Sequence, residues 1–277
     1  MSSGRLSVLL VTDLAYQARG RRYCDEDIFL SSRLRETFDV ALCHPRDAVA
    51  LMDRFDLVLV RNSAPVIDYP EQYRAFRAHA LATGARVYSE LSGKADMVGK
   101  QYLVDLYRAG FPVIPTVDRV ADLERLPVSD AYVVKPKHGA DSVGMRFLGP
   151  AEIRGVDDGE TLIQPRVEFG YEVSFYFVDH TFQYALYAPD PAQRWALTEY
   201  EPTEADLAFA RRFIDWNGID HGIQRVDACR TADGALLLVE LEDLNPYLSL
   251  DNVSDERRRT FVADLAEALT RLAVTPR

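Results

Sequence analysis

Between residues 7 and 90, short aliphatic runs alternate with longer stretches whose apolar positions recur every three or four residues. The runs at 8–12, 40–42, 57–61 and 86–89 predict β-strands, and the stretches 25–36 and 70–83 predict helices. Strands alternating with helices imply a small parallel α/β sheet, whose ligand crevices lie in the loops after the strands, here around 13–22 and 62–69. A helix over 96–109 follows, with Asp96 as its expected N-cap and Gly110 as its stop.

Beyond Pro115 the pattern shifts to short strands, 131–135, 144–148 and 161–164, typical of a small α+β lobe. Two hairpins come next. One pairs 172–178 with 182–188 around Asp179-His180, and the other pairs 222–230 with 235–242 around Asp233-Gly234. Between them a helix over 204–216 starts at a capping-box-like Thr203/Asp206 pair. It buries Leu207, Ala210, Phe213 and Ile214 and ends at Gly218. A last helix, 255–273, carries Phe261, Leu265, Leu269 and Leu272 on one face.

Composition narrows the partners. The 277 residues suffice for one large domain or several small lobes, and Lys+Arg 32 against Asp+Glu 43 leaves a net charge of −11. An acidic surface is a poor match for polyanions, so no nucleic-acid and no membrane partner is expected. Cys24, Cys43 and Cys229 are widely spaced with no C-x-x-C, which points to a reducing cytoplasm rather than a disulfide framework or a thiolate zinc site. The first apolar run, 6–11, is too short to span a bilayer and lacks the small-residue cleavage site of a signal peptide.

Several chemistries are excluded by spacing. Five residues separate Gly93 from Gly99, and Gln101 follows Lys100, so there is no Walker A loop; no G-x-G-x-x-G follows the first strand; and the five histidines form no H-x-x-x-H pair. The second hairpin is more informative. Strand periodicity puts Glu240 with Glu242, and Arg225 with Asp227, on one face each. Three carboxylates and an arginine gathered there would be costly unless a cation and an anion were bound, and hard oxygen donors of this kind suit Mg²⁺. The alternative reading is an outward strand face with solvated acids. Lys135, at the end of a β-branched strand, precedes a glycine-bearing loop (Gly139, Ser142, Gly144) that can lay backbone N–H groups over phosphates. A Pro-containing bridge, 163–167, follows.

Taken in order, Lys100, Lys135, the glycine loop, the bridge at Gln164, Glu172, Arg225-x-Asp227 and Glu240-x-Glu242 followed by Asn245-Pro246 resemble the ATP-grasp superfamily, in the branch of glutathione synthetase and D-alanyl-D-alanine ligase. Segments 100–103 and 239–242 are also similar, more weakly, to cyclising ligases of the D-cycloserine-forming type. The resemblance implies an N-terminal α/β lobe (1–92), a central ATP-grasp lobe (93–165) and a C-terminal ATP-grasp lobe with the metal site (166–277), the two α+β lobes sandwiching ATP. It assigns Lys100, Lys135 and the glycine loop to the ATP phosphates, Gln164 and the Val167 backbone to adenine, and Glu172 to the ribose. Asp227, Glu240 and Glu242 would hold Mg²⁺, and Arg225 would neutralise the transferring phosphoryl group. Two positions depart from the family pattern. Gln164 or Pro165 stands where an acid is common in the bridge, and Glu242 stands where an Asn is usual, with Asn245 displaced by three residues.

The implied activity is ATP-dependent carboxylate–amine ligation through an acyl phosphate, acting on a small carboxylic acid and an amine. The chain is compatible with a homodimer. Alternatives are intramolecular cyclisation, phosphoryl transfer to a hydroxyl, and nucleotide binding without catalysis; the full set of cations and acids argues against the last. Candidate substrate residues are Tyr16, Arg22, Arg61, Asn62, Tyr247 and Ser249, with Arg22 preferred as a carboxylate clamp because guanidinium binds carboxylate bidentately.

Overall fold

The computed structural model describes residues 4–18, 21–61, 69–139, 144–156, 159–190, 193 and 196–275. The chain begins with β1 (Ser7–Val11), the short strands β2 (Gln17–Ala18) and β3 (Arg21–Arg22), α1 (Cys24–Leu34), β4 (Asp39–Cys43), α2 (Ala48–Leu51), β5 (Leu57–Val60), α3 (Pro70–Thr83) and β6 (Val87–Tyr88). β1, β4, β5 and β6 form a parallel sheet in the order β4-β1-β5-β6, as the alternation of strands and helices predicted. Its central strands are buried on both faces, the normal state of a parallel sheet. Val8, Leu10, Leu57 and Leu59 enter one core, while Leu9, Val11, Val58 and Val60 enter another.

The middle of the chain holds α4 (Tyr102–Arg108) and an antiparallel sheet β8-β7-β9, built from β7 (Tyr132–Pro136), β8 (Arg146–Leu148) and β9 (Thr161–Pro165). Its small core comprises Val117, Leu126, Val134, Ile153, Val156 and Ile163. The helix expected over 96–109 is broken. A single 3₁₀ turn spans Asp96–Val98, Gly99 takes φ +96°, and the α-helix starts only at Tyr102. A Cβ on Gly99 would come within 2.6 Å of the His138 ring, so only glycine fits this break. Asp96 makes no cap; its side chain turns to Lys100 instead. Gly110, at φ +74°, ends the helix as expected.

The remaining elements are β10 (Phe169–Val178), β11 (Thr181–Tyr187), β12 (Thr198–Tyr200), α5 (Glu204–Asn217), β13 (Ile223–Thr231), β14 (Leu236–Glu242) and α6 (Asp255–Val274). The strands form an antiparallel sheet in the order β12-β11-β10-β13-β14. One face packs α4 and α5 through Leu103, Leu106, Phe175, Phe177, Phe213, Ile214 and Leu241. On the other side, Tyr176, Tyr184 and Leu186 share a core with Val8 and Leu10 of the first sheet and with Phe261, Leu265 and Leu269 of α6. The Thr203/Asp206 capping box forms, with both reciprocal bonds present, and Gly218 closes α5 at φ +68°. Among the described residues no helix is long and apolar enough to cross a membrane, and the three cysteines are buried free thiols.

Candidate active site

The site is built on the β13–β14 hairpin. Arg225 lies opposite Glu242 and Asp227 opposite Glu240. The register shifts just beyond this pair, and the bulge lets Leu238 and Leu241 stay buried while Glu240 and Glu242 share the other face. Arg225 Nε and Nη2 reach the Asp227 carboxylate at 2.9 and 2.8 Å, and Nη2 reaches Glu242 Oε1 at 2.5 Å. The guanidinium also donates through Nη1 to the Tyr247 carbonyl at 2.9 Å. Ser174, on the neighbouring strand β10, donates its hydroxyl to Asp227 Oδ1 at 2.6 Å.

A second cation enters from the turn before α4. Lys100 Nζ contacts Asp96 Oδ2 at 2.7 Å and is ion-paired to Glu240. Its backbone N–H donates to the Lys137 carbonyl, which ties the turn to the segment after β7. Burial opposes the Lys100 charge, but Asp96 and Glu240 outweigh it and hold its pKa well above the usual lysine value. Burial drives the half-buried Lys135 down to about 8, with Glu240 pulling it up and Lys100 pushing it down. Among the described residues Lys135 has no ion pair. Burial raises Glu242 to about 8 against the pull of Arg225, with Glu240 and Asp227 adding to the rise. Glu240 moves the other way: its burial penalty is outweighed by Lys100, by a bond to Asp96 and by Lys135. Among the described residues no three acidic, histidine or cysteine side chains are gathered closely enough to hold a metal by themselves. Arg225 stands between Asp227 and Glu242, and Lys100 between Asp96 and Glu240.

No family model matches the sequence. The cycloserine biosynthesis protein DcsG of Streptomyces lavendulae is 25% identical over 265 residues, covering 82% of this chain and 88% of its own. The crystal structure of D-cycloserine synthetase DcsG superposes with a TM-score of 0.75 at 23% identity, over 96% of this chain and 99% of that one. A D-alanine–D-alanine ligase from Bacillus anthracis complexed with ATP gives 0.69 at 11% identity, over 97% of each chain. The ATP-grasp ligase PsnB, complexed with a variant of its minimal precursor, Mg and ADP, gives 0.59 at 14% identity, over 97% of this chain and 99% of that one. The chain has the ATP-grasp fold.

Within this ATP-grasp fold, two ion-paired sets, Lys100 with Asp96 and Glu240 and Arg225 with Asp227 and Glu242, are brought side by side by the pairing of Asp227 opposite Glu240, and Lys135 lies within electrostatic reach of Glu240 and Lys100. Glu172 lies on β10 two residues from Ser174, on the same strand face. The Gln164 side chain is buried and donates to Thr116 Oγ1 at 2.8 Å. Val167 and Asn245 are half-buried, as is Gly139, and Gly144 takes φ +77°. Ser142 and Asn62 lie outside the described residues.

Of the substrate candidates, Tyr16 and Tyr247 are joined into a run of rings by Tyr23, which the sequence pattern does not single out. Tyr23 stacks on Tyr247 at 4.6 Å, and Tyr16 meets Tyr23 edge-on at 5.4 Å. Arg22 is exposed and paired with Asp25 at 2.6 Å. Arg61 is buried and its guanidinium is shared among three acceptors: Glu26 Oε1 at 2.8 Å, Asp27 Oδ1 at 3.0 Å and the Pro246 carbonyl at 3.0 Å. Glu26 in turn accepts from the backbone N–H groups of Leu248 and Ser249. Arg61 therefore fastens the first sheet to the segment after β14, and the 246–249 segment in turn touches Arg225.

Sequence reasoning missed Asp96, Tyr23, Glu26, Asp27 and Asp243. The i,i+4 spacing of Asp96 and Lys100 was an available signal for the first. The others meet partners dozens to hundreds of residues away, which no local pattern encodes.

Proposed function

We propose that this chain is an ATP-dependent ligase that joins the carboxylate of a small molecule, an amino acid or a peptide, to an amine through an acyl phosphate, releasing ADP and phosphate. The observation that carries this reading is the juxtaposition of two ion-paired sets, Lys100 with Asp96 and Glu240 and Arg225 with Asp227 and Glu242. Two cations face four carboxylates there, so on binding of a polyphosphate with a divalent cation Lys100 and Arg225 would turn to phosphate oxygens and the carboxylates would be left to hold the cation. The donor set fits Mg²⁺, since it offers hard oxygens only, and Asp96 Oδ1 is buried there without a hydrogen-bond partner. Asp227, Glu240 and Glu242 would hold the ion, with Asn245 as the alternative last ligand. When bound, Mg²⁺ neutralises charge on the phosphoryl oxygens.

The chain's own residues supply positioning. Lys100 and Lys135 act as point charges on the phosphates, and the ends of the glycine loop, at Gly139 and Gly144, would bring backbone N–H groups to them. Arg225 presents its planar guanidinium to the transferring phosphoryl group and to the oxyanion that forms as the amine attacks. With the Gln164 amide already donating to Thr116, the adenine edge falls to the backbone of the 164–167 bridge, and Glu172 faces the ribose hydroxyls. Tyr16, Tyr247 and Ser249, with Arg22, border the acceptor site.

A second reading, ring closure within one substrate, is favoured by the likeness to D-cycloserine synthetase in both sequence and structure. Incubating the protein with ATP, Mg²⁺ and pooled amino acids or small carboxylic acids tests both readings. The expected result is substrate-dependent ADP release that is lost in Glu240→Gln. A product lighter than its single substrate by one water marks cyclisation, and a condensed mass marks two-substrate ligation. A stable phosphorylated product, or no ATP binding at all, would overturn the proposal.

A further inference from the structure

Lys100 and Asp96 reach the acid cluster from the 93–99 turn, whose only regular structure is one 3₁₀ turn. The turn is held from behind by a buried polar knot. Asp243, the residue after β14, is fully buried. Its Oδ2 accepts from the Ala95 N–H at 3.0 Å and from Asn217 Nδ2 at 3.2 Å, and its Oδ1 accepts from the Met97 N–H at 2.9 Å. Asn217, the buried last residue of α5, accepts from the Lys94 N–H at 2.7 Å and donates to the buried Gln224 Oε1 at 2.9 Å. Three backbone donors of the turn, at 94, 95 and 97, therefore end on two buried side chains. Gly93 completes the fit: a Cβ there would lie 2.3 Å from Asp243 Oδ2 and 2.7 Å from Met97 Cε.

Burying a carboxylate without a cation is costly unless its oxygens are hydrogen-bonded, and here the donors are two N–H groups of the turn and the Asn217 amide. The intervening residue, Asp96, points to the opposite side and meets Lys100. We infer that Asp243 is a positioning residue for nucleotide binding: through the Ala95 and Met97 N–H groups it fixes where the turn presents Asp96 and Lys100 to Glu240. The inference rests on the reading of Lys100 as a phosphate ligand. It ties the lysine to β14 twice, once by the Glu240 ion pair and once through the backbone by Asp243.

The test uses the full chain and calorimetric titration with AMP-PNP in the presence of Mg²⁺. Asp243→Ala and Gly93→Ala, which disturb the knot from its two sides, are expected to weaken binding by at least about tenfold, the weight of one charge-assisted hydrogen bond. Asp243→Asn, which keeps one acceptor, is expected to fall between them and the wild type. A role exerted through Lys100 also predicts coupling. In a Lys100→Met background, Asp243→Ala should add less than half of its own effect, whereas a general loss of stability would leave the two changes additive. Wild-type affinity in folded Asp243→Ala and Gly93→Ala, or full additivity with Lys100→Met, overturns the inference. If Asp243→Ala does not fold, Gly93→Ala and Asp243→Asn decide the question alone and in the Lys100→Met background. Absence of AMP-PNP binding by the wild type would instead overturn the ligase reading itself.

Discussion

Replacing Arg61 by methionine removes a guanidinium that Glu26, Asp27 and the Pro246 carbonyl share in the interior. Both carboxylates are essentially inaccessible, so water cannot take over the lost bonds. Breaking a buried pair by removing one partner costs about 3–5 kcal/mol, against a total stability of roughly 5–15 kcal/mol. Unfolding entropy near 2.1 cal/mol/K per residue gives about 0.6 kcal/mol/K for 277 residues, so a loss of about 4 kcal/mol lowers Tm by about 7 °C.

The change also carries a pH signature. Burial already pushes Glu26 up to about 8 against the pull of Arg61, and removing Arg61 pushes it further. Below about pH 8 the Glu26 carboxyl is protonated in both folded proteins, so its contribution to the difference is constant and the cost there is that of breaking the buried Arg61–Asp27 pair. Above that value the wild-type group ionises into its pair while the variant still binds a proton that the unfolded chain has lost, so the deficit widens, by at most about 1.4 kcal/mol per pH unit. Calorimetric melts of both proteins at pH 6, 7.5 and 9 measure this. A Tm drop under about 2 °C, or a deficit that shrinks from pH 7.5 to 9, would refute the reasoning.

Three further outcomes are expected. Arg225→Ala should cut ADP release by about a hundredfold or more, and it should also lower Tm because Asp227 and Glu242 lose their shared partner; an unchanged rate in the folded variant would count against the site. AMP-PNP affinity should fall as pH rises through about 8, since Lys135 is cationic below that value and neutral above it, and Lys135→Arg, charged throughout, should flatten the profile between pH 7 and 9.5. Mg²⁺ titrated alone should bind at least about tenfold more weakly than Mg²⁺ with AMP-PNP, because Arg225 and Lys100 occupy the carboxylates until phosphates draw them off; equal affinities would argue against partner exchange.

Where local periodicity carries the information, the sequence was legible. Pro70 opens α3 and Thr83 ends it as the pattern predicted, and the Asp179-His180 and Asp233-Gly234 turns close their hairpins. The paired faces of Arg225/Asp227 and Glu240/Glu242 followed from the two-residue period of a strand. The edge strand β12 was missed because Thr198–Tyr200 is short and polar, with one side unpaired. The break at Gly99 was missed because a helical pattern continues through it; the deciding contact, with the His138 ring, is tertiary. Glu26 and Asp27 look in sequence like any surface charges and Arg61 like a substrate-binding residue, and only the packed structure shows them sealed together. Asp243 was overlooked because the strand period stops being informative where β14 ends.

The core that Val8, Leu10, Leu57 and Leu59 share with Phe261, Leu265 and Leu269 has a consequence for synthesis on the ribosome. Domains usually condense in order of emergence, but α1 supplies only part of the cover for this face of the first sheet, through Leu30 and Leu34, and the rest comes from β10, β11 and α6, the last some two hundred residues later. Until those elements emerge, part of the nascent sheet's apolar face stays open, and the first ninety residues are a fragment that awaits its remaining cover rather than a domain finished early.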